Sequence, residues 1–301
     1  MPATTDGELR RFILERQPVR GFWIRLDGAW RELRSHQRYP PLVEALLGEA
    51  VTASLLLAAT LKFQGTLTLQ LAGDGLVNLL VAQCTHDFVI RAVARADAIT
   101  DGPVSFRQLV GDGRLSVTIE AEERSARYQG IVSLQGANLA QCLENYFATS
   151  EQLPTRIALS ADGQRTAGLL LQKLPLSNAQ GEALGAMSQE AWESLQSRIA
   201  TLDTALLRFG TAEQVLQRVC AEYDCRVFAA APVHFTCRCD ALRVENVLRS
   251  LGVAELRSIL AEQGAVTVTC EFCGRPYQFD AIDVERLFAL GVSPESPQSL
   301  N

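Results

Sequence analysis

The sequence is poor in several features that mark common functional classes. No run of Lys or Arg dominates any segment, and the formal net charge of −6 argues against a nucleic-acid or anionic-membrane surface. Only three histidines are present, His36, His86 and His234. No Ser/His/Asp arrangement and no carboxylate pair stands out as catalytic, so we expect a protein that is not an enzyme.

The first residues, MPATTDGELRRF, lack the apolar segment of a secretory signal, so we expect a cytoplasmic protein. The longest apolar stretch, residues 42–63, is long enough for a membrane span. It contains Glu44 and Glu49, however, and each would cost roughly 2–3 kcal/mol in lipid. A buried helix of a soluble domain is therefore the better interpretation. In a reducing cytosol, clustered cysteines indicate metal ligands or redox centres rather than static disulfides.

What is present is an apolar chain of 301 residues, 48% hydrophobic, with room for two domains or more. Residues 1–175 predict an α+β domain, an antiparallel sheet with packed helices. The stretches TLTLQL (from Thr66) and RLSVTIE (from Arg114) alternate apolar and polar residues, as strands do. Two Gly-Asp-Gly sequences, 73–75 and 111–113, predict hairpin turns. Neither has the glycine spacing of a phosphate-binding loop.

Residues 176–231 have a different composition, rich in Ala, Ser, Gln and Glu, and predict a helical, metastable linker. A capping box from Thr211 to Gln214 indicates the start of one of its helices. The linker has a narrow apolar stripe, so we expect it to dock on its neighbours with modest stability. The stripe consists of Trp192, Leu195, Ile199, Leu202, Leu206 and Leu207.

The Ser/Pro-rich tail, residues 291–301, is predicted to be disordered.

Residues 232–290 predict a small module that contains four of the eight cysteines. Asp240 is expected to cap a first helix, Gly252 to end it, and Gly264 to follow a second helix. Cys237, Cys239, Cys270 and Cys273 form a C-x-C … C-x-x-C pattern, which is typical of a closed tetrahedral zinc site. From the pattern alone, a structural zinc, a pair of disulfides and a switch between the two all stay open. A zinc site is the favoured interpretation. Among zinc sites, a purely structural one is favoured over one that takes part in a redox switch.

Loss of such a metal has a predictable consequence. A module of roughly 55 residues buries little surface, and structural zinc contributes about 10–16 kcal/mol of binding energy that is also folding energy. Metal loss should therefore unfold the module. Because thiolates are the oxidisable form of cysteine, an oxidant can convert the ligands to disulfides and expel the metal. Arg238 and Arg275 flank the ligands and either offset the thiolate charge or are solvated surface residues.

The remaining cysteines and polar motifs are interpreted structurally. Cys84 and Cys142 are predicted to be small buried residues, and Cys220 and Cys225 to be free thiols, because C-x4-C is a poor half-site for zinc. Two polar tripeptides interrupt apolar surroundings, YQG from Tyr128 and SEQ from Ser150. We interpret them as strand and helix ends rather than as a site.

Several stretches resemble one known family. They include YPPLVEALLGEA (from Tyr39), LLAATLKFQGTLTLQLAGDG (from Leu56), CLENYFATSEQLPTRIAL (from Cys142), VFAAAPVHFTCRCD (from Val227) and VTCEFCGRPYQFD (from Val268). Over nearly its whole length the chain resembles the 33 kDa chaperonin family of bacterial redox-regulated heat-shock holdases.

The resemblance implies an ATP-independent chaperone whose N-terminal domain binds unfolding client proteins and dimerises. It implies one Zn²⁺ per reduced chain, held by Cys237, Cys239, Cys270 and Cys273. Strong oxidation would then form the disulfides Cys237–Cys239 and Cys270–Cys273, release the zinc and convert a monomer to a homodimer. The alternative is a zinc-ribbon nucleic-acid-binding or regulatory protein with a purely structural zinc. That function requires a basic face, and neighbouring acids offset the arginines of this module.

Overall fold

A computed structural model describes residues 7–97, 103–121, 127–175 and 181–289. The described residues up to Thr236 form one compact unit, and those from Cys237 onward form a second. The predicted module boundary at residue 232 differs from this division, because the short strands at residues 231–232 and 234–235 pair with sheets of the first unit. The predicted disordered tail, 291–301, lies outside the described residues. The functional division into three regions stays a prediction.

Within the described part of the first unit, the expected single sheet is two six-stranded sheets. One sheet is antiparallel throughout, in the order β10-β1-β2-β9-β8, with β11 also pairing with β1. Its strands are β1 (Gly7–Leu14), β2 (Val19–Leu26), β8 (Thr155–Ala161), β9 (Thr166–Lys173), β10 (Cys225–Val227) and β11 (Ala231–Pro232). The sequence analysis missed β1, in which the alternation of buried and partly exposed residues is interrupted at Arg11.

The second sheet has the order β12-β5-β4-β3-β6-β7. Its pairs are antiparallel except for β12, which runs parallel to β5. Its strands are β3 (Gly65–Ala72), β4 (Val77–Thr85), β5 (Val89–Ala96), β6 (Arg114–Ala121), β7 (Arg127–Ser133) and β12 (His234–Phe235). The predicted α+β class is confirmed, with the antiparallel pairing that the alternating strands indicated.

The long apolar helix is α2 (Pro41–Thr60), and it packs against both sheets. It contacts β2, β8 and β9 on one side and β3, β4 and β5 on the other. Because partners surround it, apolar residues occupy most of its circumference, which explains why its sequence shows no clean stripe. Its length and hydropathy would also suit a membrane span. Most of the side chains in that stretch are buried inside the unit, as a core helix requires.

Three shorter elements complete this part of the unit. They are α1 (Gly28–Ser35), α3 (Phe106–Val110) and α4 (Leu139–Tyr146), the last of which continues into a π-helical turn, Phe147–Glu151. Trp30 of α1 is fully buried, and its Nε1–H donates to the Asp162 carbonyl oxygen at 2.8 Å. The polar end of this large side chain is thus satisfied inside the core.

Only one of the two Gly-Asp-Gly sequences is a hairpin turn. Residues 73–75 join β3 to β4, but residues 111–113 join α3 to β6, so the second prediction is wrong. Gly111 has φ +65° and its N–H closes α3 on the Arg107 oxygen, a helix end that favours glycine. The two turns also meet, because the Asp112 N–H donates to Asp74 Oδ1 at 2.7 Å.

The region predicted as a linker forms α5 (Gly181–Ala200), α6 (Thr204–Phe209) and α7 (Ala212–Cys220). The Thr211 capping box is confirmed: Thr211 Oγ1 accepts from the Gln214 N–H, and Gln214 Oε1 accepts from the Thr211 N–H. Side chains of these helices pack against β1, β2 and β9 in one cluster. Its buried members include Phe12, Trp23, Leu169, Leu171, Trp192, Leu195, Ile199, Leu207, Val215 and Val219.

The second unit contains α8 (Ala241–Leu251), α9 (Val253–Gln263), the hairpin β13 (Val266–Thr269) and β14 (Pro276–Phe279), and α10 (Ala281–Ala289). Asp240 caps α8, Gly252 ends it and Gly264 ends α9, all as predicted. Among the described residues, the hydrophobic core of this unit has six buried members: Leu248, Leu256, Val266, Phe279, Val284 and Leu287. So small a core gives little stability by itself.

Candidate metal centre

Two structural elements of the second unit position the four cysteines. Cys237 and Cys239 lie just before α8, whose start is fixed by Asp240 Oδ1 accepting from the Arg243 N–H at 2.8 Å. Cys270 and Cys273 lie in the connection between β13 and β14. The fold thus brings two sequence-local pairs of thiols together, which is what a closed four-ligand site needs.

The connection between β13 and β14 is a tight knuckle. The Gly274 N–H donates to the Cys270 oxygen at 2.8 Å, and the Cys270 N–H donates to the Arg275 oxygen at 3.0 Å. Gly274 has φ +65°, a conformation that glycine adopts without steric cost. The glycine after the C-x-x-C pair therefore allows the chain to turn tightly between β13 and β14.

The four sulfur atoms converge, all within 4.8 Å of one another. Cys237 Sγ lies 3.6 Å from Cys270 Sγ, and Cys239 Sγ lies 3.4 Å from Cys273 Sγ. Zn–S bonds of about 2.3 Å in a tetrahedron separate sulfurs by about 3.8 Å. The four side chains are half-buried and form no disulfide with one another. Their donor type, number and spacing therefore fit a zinc ion.

Hydrogen bonds to sulfur distribute charge within the cluster. Backbone N–H groups donate to two of the sulfurs, from Cys239 to Cys237 and from Arg275 to Cys273. Burial disfavours the thiolate at Cys237 and Cys273 and raises the pKa of both. Burial also opposes the thiolate at Cys239, but hydrogen bonds from Tyr277 and the neighbouring thiols outweigh it and lower the pKa to about 7.

Tyr277 is a site residue that the sequence analysis missed. Its hydroxyl donates to Cys239 Sγ at 3.1 Å, and its hydrogen bond with Arg275 raises the pKa of that guanidinium. Arg275 also interacts electrostatically with Cys239 and Cys273, so it offsets thiolate charge. The available signal was position: in a hairpin, residues just after the knuckle return alongside it.

The histidines and the remaining cysteines lie outside the four-thiol cluster. His234 lies in β12 of the first unit, and the imidazole of His36 stacks on Phe235 with ring centroids 5.4 Å apart. Cys84 and Cys142 are buried, as predicted, and burial raises the pKa of Cys142 to about 11. Neither belongs to a group of metal-ligating side chains among the described residues.

The two polar tripeptides meet in space. The Tyr128 and Tyr146 hydroxyls are 2.8 Å apart, and both donate to Glu151 Oε1, at 3.1 and 3.0 Å. They line a cavity of about 270 Å³ whose other walls are mostly aliphatic. The sequence analysis interpreted Tyr128 and Glu151 as belonging to a strand end and a helix end. Their spacing in the sequence does not indicate that both contact Tyr146.

Comparisons with known proteins agree over nearly the whole chain. A family profile described as "Hsp33 protein" matches residues 7–280. The chain is 42% identical to the 33 kDa chaperonin of Nitrosococcus oceani, over 93% of each chain, and 41% identical to that of Pseudomonas paraeruginosa, over 98% of each. A crystal structure of the Thermotoga maritima 33 kDa chaperonin shares the fold. Its TM-score is 0.79 at 22% identity, covering 94% of this chain and 98% of the other.

Proposed function

The chain belongs to the Hsp33 protein family, the 33 kDa chaperonins, and from this premise we propose that it is a redox-regulated holdase. In this proposal the protein binds unfolding proteins under oxidative or heat stress and prevents their aggregation without ATP. The observation that carries the proposal is the convergence of four thiols in a unit with a very small core. Such a unit folds or unfolds with the state of its sulfurs.

In the reduced state, Cys237, Cys239, Cys270 and Cys273 would hold one Zn²⁺. When bound, the ion keeps the sulfurs as thiolates and supplies folding energy to the module. Backbone N–H groups, Tyr277 and Arg275 stabilise the negative charge that the thiolates carry. The protein in this state is a monomer with little affinity for clients.

Hypochlorous acid, or peroxide with heat, oxidises the cysteines. Each disulfide takes two thiolates and one HOCl and releases chloride and hydroxide, so two electrons pass from sulfur to chlorine. The products are the Cys237–Cys239 and Cys270–Cys273 disulfides. Disulfide sulfurs are poor ligands, so the oxidised cysteines release the ion, and the six-residue cluster is too small to keep the module folded.

Unfolding of the module then spreads to the preceding residues. Strand β12 ends just before Cys237 and has two residues, held by N–H bonds from His234 and Thr236 to β5 and its preceding turn. Short edge pairings of this kind open at low free-energy cost. As the linker helices detach, the apolar cluster around Trp192 and Leu195 is exposed to bind clients and to form a homodimer.

A location in the cytoplasm fits this chemistry, because the cytosolic pool of reduced thiols returns the switch to its zinc-loaded form. The alternative, a nucleic-acid-binding or regulatory zinc ribbon, receives less support. Arginines of the second unit pair with carboxylates, including Arg257 with Glu285 and Arg249 with Glu245. Paired guanidiniums provide little of the positive field that phosphates require.

A paired aggregation assay tests the proposal. A chemically unfolded client is diluted into reduced, zinc-loaded protein and into protein treated with hypochlorous acid, while a chromogenic chelator reports zinc. We expect only the oxidised sample to suppress light scattering, and suppression to follow zinc release. If zinc leaves and no protection appears, the metal is structural only. The Cys270→Ser/Cys273→Ser double variant serves as the control that has lost the switch but keeps the first unit.

A further inference from the structure

Outside the four-thiol cluster, the described chain brings together two further cysteines. Cys220 is the last residue of α7, and Cys225 is the first residue of β10. Backbone hydrogen bonds fix the turn between them: the Tyr223 N–H donates to the Cys220 oxygen, and the N–H of Glu15, the residue after β1, donates to the Asp224 oxygen, each at 2.9 Å. The chain therefore reverses direction over this turn and holds its ends close together.

The two side chains are in contact. The Cys220 thiol donates a hydrogen bond to the Cys225 sulfur. Both pack in the apolar cluster that contains Trp192 and Val219. Cys220 is buried, with 3% of its surface exposed, whereas Cys225 is only half-buried. One thiol is thus reachable from solvent, and the other lies directly beside it.

We propose that Cys220 and Cys225 form a second redox site, a dithiol that closes to a disulfide independently of the four-thiol cluster. Oxidant-sensitive cysteines are accessible and have a second thiol poised to resolve the first oxidation product, which is the arrangement here. The electrostatics assign the roles. The hydrogen bond from Cys220 lowers the pKa of Cys225, and the same bond together with burial raises the pKa of Cys220.

The oxidant class is a small disulfide, of which glutathione disulfide is the usual cellular example. The Cys225 thiolate attacks one sulfur atom of glutathione disulfide. A mixed disulfide forms between Cys225 and glutathione, and the second glutathione leaves as a thiolate. The Cys220 sulfur then attacks Cys225, its proton passes to the departing glutathione, and the intramolecular disulfide forms. Two electrons leave the cysteine pair, and two molecules of reduced glutathione are released.

The bond has a defined mechanical effect. It ties the end of α7 to β10, which pairs antiparallel with β1. In an oxidised chain the end of α7 therefore stays beside the start of β10 even when neighbouring helices detach. The inference goes beyond the proposed zinc switch and does not require it.

Peptide mapping of the full-length, zinc-loaded protein tests the site. The reduced protein is equilibrated in glutathione buffers of increasing oxidation, quenched, alkylated and digested with trypsin. Cleavage after Arg218 and Arg226 places both thiols in one peptide, VCAEYDCR. We expect this peptide to become two hydrogens lighter and resistant to alkylation in buffers that leave the urea-unfolded chain reduced. A reductant should restore it, and the Cys142 peptide should stay alkylatable throughout.

Single variants then test the assigned roles. Cys220→Ala should accumulate glutathione on Cys225, whereas Cys225→Ser should leave Cys220 unmodified. The proposal is overturned if the peptide keeps both thiols until the unfolded chain is also oxidised, or if Cys220 reacts equally well without its neighbour. It is also overturned if the bond forms only in chains that have lost zinc. Client protection is scored separately, so failure of this site and failure of the holdase proposal give different readouts.

Discussion

Removal of the metal should unfold the second unit and leave the core of the first unit intact, and the structure sets the size of the change. Helices α8, α9 and α10 contain 11, 11 and 9 residues, which is 31 of the 107 residues in α-helices of the described chain, or about 29%. Zinc supplies about 10–16 kcal/mol of coupled folding energy, which exceeds what so small a core can replace.

The perturbation is a high-affinity chelator under reducing conditions, or the Cys270→Ser/Cys273→Ser double variant. Far-UV ellipticity and zinc content are measured on the same sample, with Cys225→Ser as the matched control outside the cluster. We expect a loss of at least about 29% of the helical signal, with no tightly bound zinc. Where unfolding spreads to the linker, as the proposed route to client binding requires, the loss should rise to about 62%, because α5, α6 and α7 add 20, 6 and 9 residues.

The two expected losses of helical signal, about 29% and about 62%, distinguish the possible outcomes. A double variant that still holds one tight zinc per chain would refute the assignment of ligands. Complete zinc loss with unchanged ellipticity would show that the module folds without metal, and the argument from its small core would then fail. An oxidised sample that stops at the smaller loss would separate the module from the linker and would remove the proposed route to client binding.

Three further outcomes follow from the same structure. Burial raises the pKa of Glu49 to about 7; the folded state thus keeps a proton that the unfolded state loses, so stability should fall as pH rises from about 4.5 to 7, by on the order of 3 kcal/mol. Glu49→Gln should flatten that dependence in urea titrations at several pH values. The Thr166 hydroxyl bonds to Thr52 Oγ1 at 2.6 Å and to the Gly48 oxygen at 2.8 Å; Thr166→Val should cost about 1–3 kcal/mol, and adding Thr52→Val should recover part of it, with additive losses contradicting the coupling. Leu248→Ala in the module core should weaken zinc binding by the equivalent of about 2–5 kcal/mol in a competition titration, whereas Leu242→Ala, exposed on the same helix, should leave it unchanged.

The sequence determined the elements whose signals are local. Alternation located β3 and β6, the Thr211 capping box located α7, and Asp240, Gly252 and Gly264 bounded the helices of the module. The four candidate ligands could likewise be named in advance, because C-x-C and C-x-x-C are chelating units at any position in a fold. Each of these signals depends on residues a few positions apart, and short-range backbone geometry fixes what they do.

Tertiary structure alone decided which distant segments share a surface. It divided the expected single sheet into two sheets around α2 and placed residues 111–113 at a helix end instead of a hairpin. It also brought Tyr277 to Cys239 and Tyr146 to Glu151. Hydrogen bonds of this kind depend on how whole elements pack, and packing depends on the total burial of apolar surface rather than on any local pattern. The metal ligands can therefore be predicted from the sequence alone. The residues that stabilise their thiolate charge are identified only from the folded hairpin.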